Sequence, residues 1–269
     1  MTGEAATGNL RLRAAPRGER TVLTDLYRTT PFHPGPVNHR DGQAQVILQD
    51  VTPGLFPGDR LHVDVEVATG ASLVVQGQGA TKVYPAQAGS GAESRISLTV
   101  ADGGTLWWLP GALIPFRDAR LSTRTHVALA GTARFAHLDV ITPGRVAMGE
   151  HFAYESLDLR LRIDVDGTAR LIERAALDPR ARPPIVTGSQ GAFSCAGTLA
   201  LVGYACPTDL ERFGGDVWLG AGGGPELVIV RGLAHAADSL RDALLTLLAE
   251  IAEHAEGAAR SAVNGGGRL

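Results

Sequence analysis

Lysine is almost absent from this chain of 269 residues: Lys82 stands alone among 25 Lys+Arg, and every other cation is arginine. A coding bias toward arginine accounts for the imbalance. Lys82 is then either a chance survivor or a position where a compact ammonium does what a planar guanidinium does not. Aromatics are sparse too, at 5%, which leaves few platforms for stacking sugars or bases. There are two cysteines, Cys195 and Cys206, without a C-x-x-C spacing. Two small buried hydrophobes in a reducing compartment is the plain reading, with a redox or metal pair as the other. No run approaches the roughly 20 apolar residues that span a bilayer. No dense basic run marks a membrane patch, and a net charge of −3 argues against a general nucleic-acid binder. Met1 to Thr21 lacks the apolar core of a secretory signal, so the expected location is cytoplasmic.

What is present is alternation. Leu61, Val63, Val65 and Val67 alternate with polar residues, as do Ile96, Leu98 and Val100, and then Leu157, Leu159, Leu161, Ile163 and Val165. Period two means strands with one face buried and one wet. The strands come in a repeated unit: an alternating strand, a glycine-centred turn, then a second apolar strand. Arg60–Val67 passes through Gly70 to Leu73–Gln76, and Arg95–Val100 passes through Gly103-Gly104 to Leu106–Leu109. Leu121–Leu129 passes through Gly131 to Ala133–Ile141, and Leu157–Val165 passes through Asp166-Gly167 to Ala169–Arg174. Turn glycines at about 30-residue intervals predict stacked two-stranded β layers, solenoid-like or an elongated sandwich. The fold class is therefore mainly β with about two helices.

The clear helix is Ala237–His254. Leu240, Leu244, Leu247, Leu248 and Ile251 share a face, Asp238 or Ser239 suits the cap, and Gly257 suits the stop. Asp209–Phe213 suits a short second helix. Residues 1–8 and 259–269 are expected to be disordered, flanking one β-rich domain over 9–258.

A search for catalytic motifs finds neither HExxH nor G-x-S-x-G. Gly77–Lys82 has the glycines of a phosphate loop but not the Gly before Lys, the Ser/Thr after it or the following helix. The eight histidines are dispersed. His137 and Asp139 share one strand face, which is either solvated or the polar lining of a cavity. Asp164 and Asp166 are the nearest approach to a carboxylate pair, and they keep a β-solenoid carbohydrate-active enzyme as the alternative reading. Two loops carry isolated charges: Gly54–Asp59, and Gly144–Glu150 with Arg145 and Glu150 at its ends. Each suits a turn held by a cap or an ion pair. Trp107 and Trp108 are adjacent on a strand and so point to opposite faces, which predicts one exposed indole and a binding role for it.

Five segments in order carry a resemblance: Pro53–Asp59, Gly70-Ala71, Thr81–Tyr84, Leu106–Pro110 with Ile114–Phe116, and Gly144–Phe152. Together they resemble the urease accessory protein UreD family, strongly over Leu10 to Phe152 and by length and the C-terminal helix beyond. The chain departs from that family at Val75–Gln78, where a Thr-Thr-Gln is usual, and at Trp107, where an acid is usual. The resemblance implies a mainly β fold with two helices and no catalysis. It implies a scaffold that binds the urease apoenzyme and a helical accessory protein (UreF-like). Through that partner it implies a GTPase (UreG-like), with a homodimer of this chain as one arrangement within the complex. It implies that no cofactor is held tightly and that nickel is in transit through an internal water-filled passage. The acids expected on the nickel path are Asp59 and Glu150, with His137 and Asp139 as secondary positions. Lys82 and Arg145 are expected to orient those carboxylates or fix their loops. Trp107, Trp108 and Phe32 are the expected partner contacts.

Overall fold

The computed structural model describes residues 7–87, 89–182, 194–205, 209–224 and 226–265. A hairpin opens the chain: β1 (Thr7–Arg17) and β2 (Arg20–Arg28). Short strands β3 (Phe32–Pro34) and β4 (Asn38–Arg40) lead into β5 (Gln43–Asp50). There follow β6 (Arg60–Val67), β7 (Ser72–Gly77), β8 (Thr81–Val83), β9 (Ala92–Val100), β10 (Thr105–Leu109), β11 (Leu113–Pro115), β12 (Arg120–Leu129) and β13 (Arg134–Ile141). After a single 3-10 turn at Val146–Met148 come β14 (Ser156–Val165), β15 (Thr168–Leu177), β16 (Cys195–Val202), β17 (Val217–Gly224), β18 (Leu227–Ala234) and helix α1 (Ala237–Gly265).

The strands divide between two sheets. A seven-stranded sheet runs β15-β14-β12-β9-β6-β1-β2. An eleven-stranded sheet has the path β17-β18-β16-β13-β10-β7-β5-β3, with β4, β8 and β11 attached at its side. β6, β9, β12 and β14 are parallel neighbours in the first sheet. β5, β7, β10 and β13 are parallel neighbours in the second. The chain crosses between sheets at each glycine turn, so each strand–turn–strand unit forms one layer of a solenoid-like stack. This is the architecture that the repeats predict.

The turns explain both the crossings and the one exception. Gly70, Gly103 and Gly131 have φ of 70°, 67° and 54°. Each sits in a four-residue turn closed by a backbone bond, such as Ala71 N–H to Ala68 O at 3.0 Å. One left-handed residue turns the chain into the facing sheet. At the fourth unit Asp166 and Gly167 both have positive φ, 49° and 73°. Two consecutive left-handed residues make the tight turn that folds a strand back on its own neighbour. β15 therefore pairs antiparallel with β14 and stays in the seven-stranded sheet, which corrects the fourth unit of the sequence reading.

The eleven-stranded sheet is central, covered on both faces. Leu73, Leu106 and Phe135 face the other sheet. Val74, Leu109, Leu138, Leu199, Leu201, Val228 and Val230 face a second core with Leu240, Leu244, Leu247 and Leu248 of α1. Two-sided burial is why β7, β13 and β16 read as nearly continuous apolar runs. Each fully buried leucine of the α1 stripe contributes about 2 kcal/mol of transfer free energy. The helix sits close because Gly197 and Gly232 leave room. A Cβ on Gly232 would lie 2.5 Å from Leu240 Cδ1.

Several boundaries differ from expectation. Residues 7 and 8 belong to β1, where they pair with Arg60 and Leu61. The helix passes Gly257 and reaches Gly265. One glycine costs about 1 kcal/mol in a helix, and the alanine-rich flanks offset that. Among the described residues there is one α-helix, and the second expected helix is a 3-10 turn at Glu211–Phe213. Cys206 and residues 1–6 and 266–269 lie outside the described residues.

Candidate functional site

The space between the sheets is filled at one end and open at the other. Near the glycine turns, Val65, Val67, Leu98, Val100, Val127, Leu129 and Ile163 meet Leu73, Leu106 and Phe135, and all are buried. Away from the turns the inward positions of the seven-stranded sheet become smaller and polar: Ser94, Thr123 and Thr125. There a cavity of about 450 Å³ runs across the strands. At one end it is lined by Gln49, Asp50, Thr52 and Lys82. Trp108, His137 and Asp139 flank its middle, and Thr198 and Glu173 close the other end.

His137 and Asp139 are brought together. His137 is 2% exposed, and its Nε2 lies 2.7 Å from Asp139 Oδ2. Asp139 keeps 48% of its side-chain surface accessible, and it opens onto the cavity that it lines. Burial raises the Asp139 pKa, but the charge and hydrogen bond of His137 outweigh it and hold the carboxyl below its ordinary value. At the far end Arg231 Nη1 donates to Glu173 Oε1 and to Thr198 Oγ1, each at 2.6 Å, and so joins the two sheets. Three buried polar atoms on lining residues have no hydrogen-bond partner among the described residues: Trp108 Nε1, His137 Nδ1 and Glu173 Oε2. Orphaned polar atoms beside a roomy cavity are positions that water or a polar ligand satisfies. Among the described residues no three His, Cys, Asp or Glu side chains converge on one metal position.

Asp59 and Glu150 lie elsewhere. Neither lines the cavity. Asp59 is buried, and its Oδ2 accepts the Phe56 N–H at 2.8 Å, capping its own turn. Glu150 accepts from Arg145 Nε at 2.9 Å, Arg145 Nη2 at 2.5 Å and the Arg117 N–H at 3.1 Å. The Arg145 hydrogen bonds hold the Glu150 carboxyl below its ordinary pKa against the opposing effect of burial. Arg145 also covers the Phe116 ring at 4.0 Å. Phe116 lies against Tyr84 at 4.9 Å, and Tyr84 stacks on Phe56 at 4.5 Å. Loops 53–59, 81–84, 114–116 and 144–150 thus meet in one aromatic and ionic clasp at the open end of the layers.

Three further expectations are corrected. Lys82 is exposed, lines the cavity, and makes no ion pair among the described residues. Its backbone carbonyl, not its ammonium, holds the neighbouring loop by accepting the Leu55 N–H at 2.8 Å. Neither indole is exposed. Trp108 is buried between the sheets, and Trp107 packs on the α1 side, where its Nε1 donates to Tyr204 Oη at 2.8 Å. Phe32 is buried as well. The two-faced burial of the central sheet removes these residues as exposed partner contacts. Cys195 is buried, which raises its thiol pKa. The residues that sequence reasoning missed are Ser94, Thr123 and Thr125. Their signal was a hydroxyl at inward positions of otherwise apolar strands.

Comparison with known proteins gives the family of the chain. Residues 6–264 match the family described as UreD urease accessory protein. The urease accessory protein UreD of Dechloromonas aromatica is 36% identical over 194 residues, covering 71% of this chain and 66% of that protein. The protein of the same name from Sporosarcina pasteurii is 30% identical over 156 residues, covering 56% of this chain and 60% of that protein. The one from an Arthrobacter species is 36% identical over 209 residues, covering 74% and 70%. The chain thus spans less than two thirds of the length of the first two relatives, 66% and 60%. With a match that covers the strand–turn–strand layers, the clasp loops and the helix, the chain belongs to the UreD family of urease accessory proteins.

Proposed function

We propose that this chain acts in urease maturation as a non-catalytic scaffold that passes nickel through the inter-sheet cavity toward the urease apoenzyme. Its partners in this reading are the apoenzyme, a helical accessory protein and, through that protein, a GTPase, with a homodimer of this chain as one arrangement. The setting is the cytoplasm, and no helix among the described residues is long and apolar enough to cross a membrane. The observation that carries the reading is the cavity with three orphaned polar atoms on its walls. A file of hydrated ions needs such a wall. Nickel takes imidazole, carboxylate and water ligands. The His137–Asp139 pair offers one weak holding point, from which an ion can leave. Asp59 and Glu150 drop out of the path and become clasp residues. The glycosidase alternative loses its acid. Asp164 is held below its ordinary pKa by hydrogen bonds from Arg162 and His126, whereas a general acid needs a raised one.

The test is Asp139→Asn in cells that co-express urease and its accessory proteins. Asparagine keeps a hydrogen bond to His137 and removes the charge. Nickel per urease active site is expected to fall several-fold while the variant still co-purifies with its partners. Full nickel loading would remove Asp139 from the path.

A further inference from the structure

The outward face of the seven-stranded sheet carries an unusual row. Strand registers place His62 of β6 beside Arg95 of β9, Arg95 beside Arg124 of β12, Arg124 beside Arg160 of β14, and Arg160 beside Arg174 of β15. All four arginines are exposed. Neighbouring strands stand about 4.8 Å apart, so the guanidiniums form one ladder across the sheet. Like charges directly opposite each other destabilise a sheet, and the fold compensates only toward the ends. Asp158 accepts hydrogen bonds from both Arg160 and Arg174, and they hold its carboxyl well below the usual range. Among the described residues Arg95 has Glu93 alone as an ion-pair partner, at 3.9 Å. Arg124, in the centre, has no hydrogen bond or ion pair among the described residues. The compensating acids therefore sit toward the ends of the row and leave its centre, Arg124, uncompensated among the described residues.

We propose that this arginine ladder is a docking surface for an acidic face of an α-helix on a partner protein. The step of the ladder selects the occupant. A helix laid along the row presents side chains about every 5.4 Å, so over four rungs the mismatch stays near 2 Å, within arginine's reach. An extended strand repeats its face at about 6.7 Å and slips out of step by about 6 Å. The flanking rows are mixed: Arg60, Glu93, Ser122 and Asp158 on one side, and Asp64, Ser97, His126 and Arg162 on the other. Glu93 and Asp158 give the row one acidic edge, which disfavours a phosphate band spreading to that side. The side chains of this row project from the face of the sheet opposite the cavity.

The full-length protein is titrated with two lactam-stapled helical peptides of about 18 residues and equal composition. One has its glutamates on a single face, and the other has them dispersed around the helix. The facial peptide is expected to bind about tenfold tighter or better, with the difference shrinking at high salt. Arg124→Glu is expected to lose that advantage while its Tm holds or rises, because an opposed charge now sits between Arg95 and Arg160. Arg124→Gln is expected to be intermediate, and Arg17→Glu, at an exposed turn, is expected to bind normally. Equal binding of both peptides overturns the proposal, as does normal binding by Arg124→Glu. Tighter binding of an oligonucleotide than of the facial peptide would reassign the surface to nucleic acid. Self-association in sedimentation that Arg124→Glu abolishes would reassign it to a second copy of this chain.

Discussion

Replacing Glu150 by alanine should destabilise the fold rather than act on nickel transit. Its carboxylate is 7% exposed and accepts two hydrogen bonds from Arg145 and one from the Arg117 N–H. Removing it takes the acceptor from a part-buried backbone donor, the Arg117 N–H, and frees an arginine that is 36% exposed. Losing hydrogen bonds to a charged group costs about 1.5–3 kcal/mol. The partial exposure of Arg145 keeps the total below the 3–5 kcal/mol of a fully buried broken pair. We expect about 2–3 kcal/mol, which in a chain of this size lowers Tm by roughly 4–12 °C. The pH dependence follows from the depressed Glu150 pKa. A carboxylate whose folded pKa lies below its unfolded value stabilises fully above the unfolded value, near pH 4.3. That contribution is lost as pH falls through the folded value. The Tm gap between wild type and Glu150→Ala should be widest at neutral pH and close in acid. The assay is circular dichroism melting across pH, with the Arg145→Ala single and the double variant completing a cycle. A Glu150→Ala protein with wild-type Tm at neutral pH and depleted urease nickel would refute the clasp assignment and restore Glu150 to the path.

Two other outcomes follow from the turns and the second core. Gly131→Ala should cost about 1–3 kcal/mol, because φ is 54° and the added Cβ would lie 2.3 Å from Asp102 Oδ1. Urea unfolding midpoints check it, with Gly167→Asn as a tolerated control. Trp107→Phe should lose the hydrogen bond to Tyr204, worth about 1 kcal/mol, and leave partner binding intact because Trp107 is not exposed. Loss of partner pull-down with unchanged stability would return Trp107 to an interface.

The layered fold was legible because one rule repeats: an apolar side chain at every second position, then a glycine that reverses the chain. The hairpin at Asp166-Gly167 was not, because its outcome depends on one additional left-handed residue. The His137–Asp139 pair was visible from parity along a single strand. The cavity was not, since it needs the register of four strands to bring Ser94, Thr123 and Thr125 opposite Trp108 and His137. The mistaken exposure of Trp107 has the same cause. The layer that covers it is built from β16, β18 and α1, about 90 or more residues away in sequence, and local pattern carries no trace of that distance. Glu150 and Arg145 were read locally as an ion-paired turn as well as a nickel position, and the local reading matches the geometry.

The most direct test of transit through the cavity is to obstruct it. Thr125 is buried on its wall, so Thr125→Phe places a ring in the open half, and Thr125→Ala leaves the space clear. Nickel per urease active site is measured after co-expression, alongside recovery of the accessory complex. The account predicts an intact complex with depleted nickel for Thr125→Phe and normal loading for Thr125→Ala. Full nickel loading with the cavity filled would contradict it.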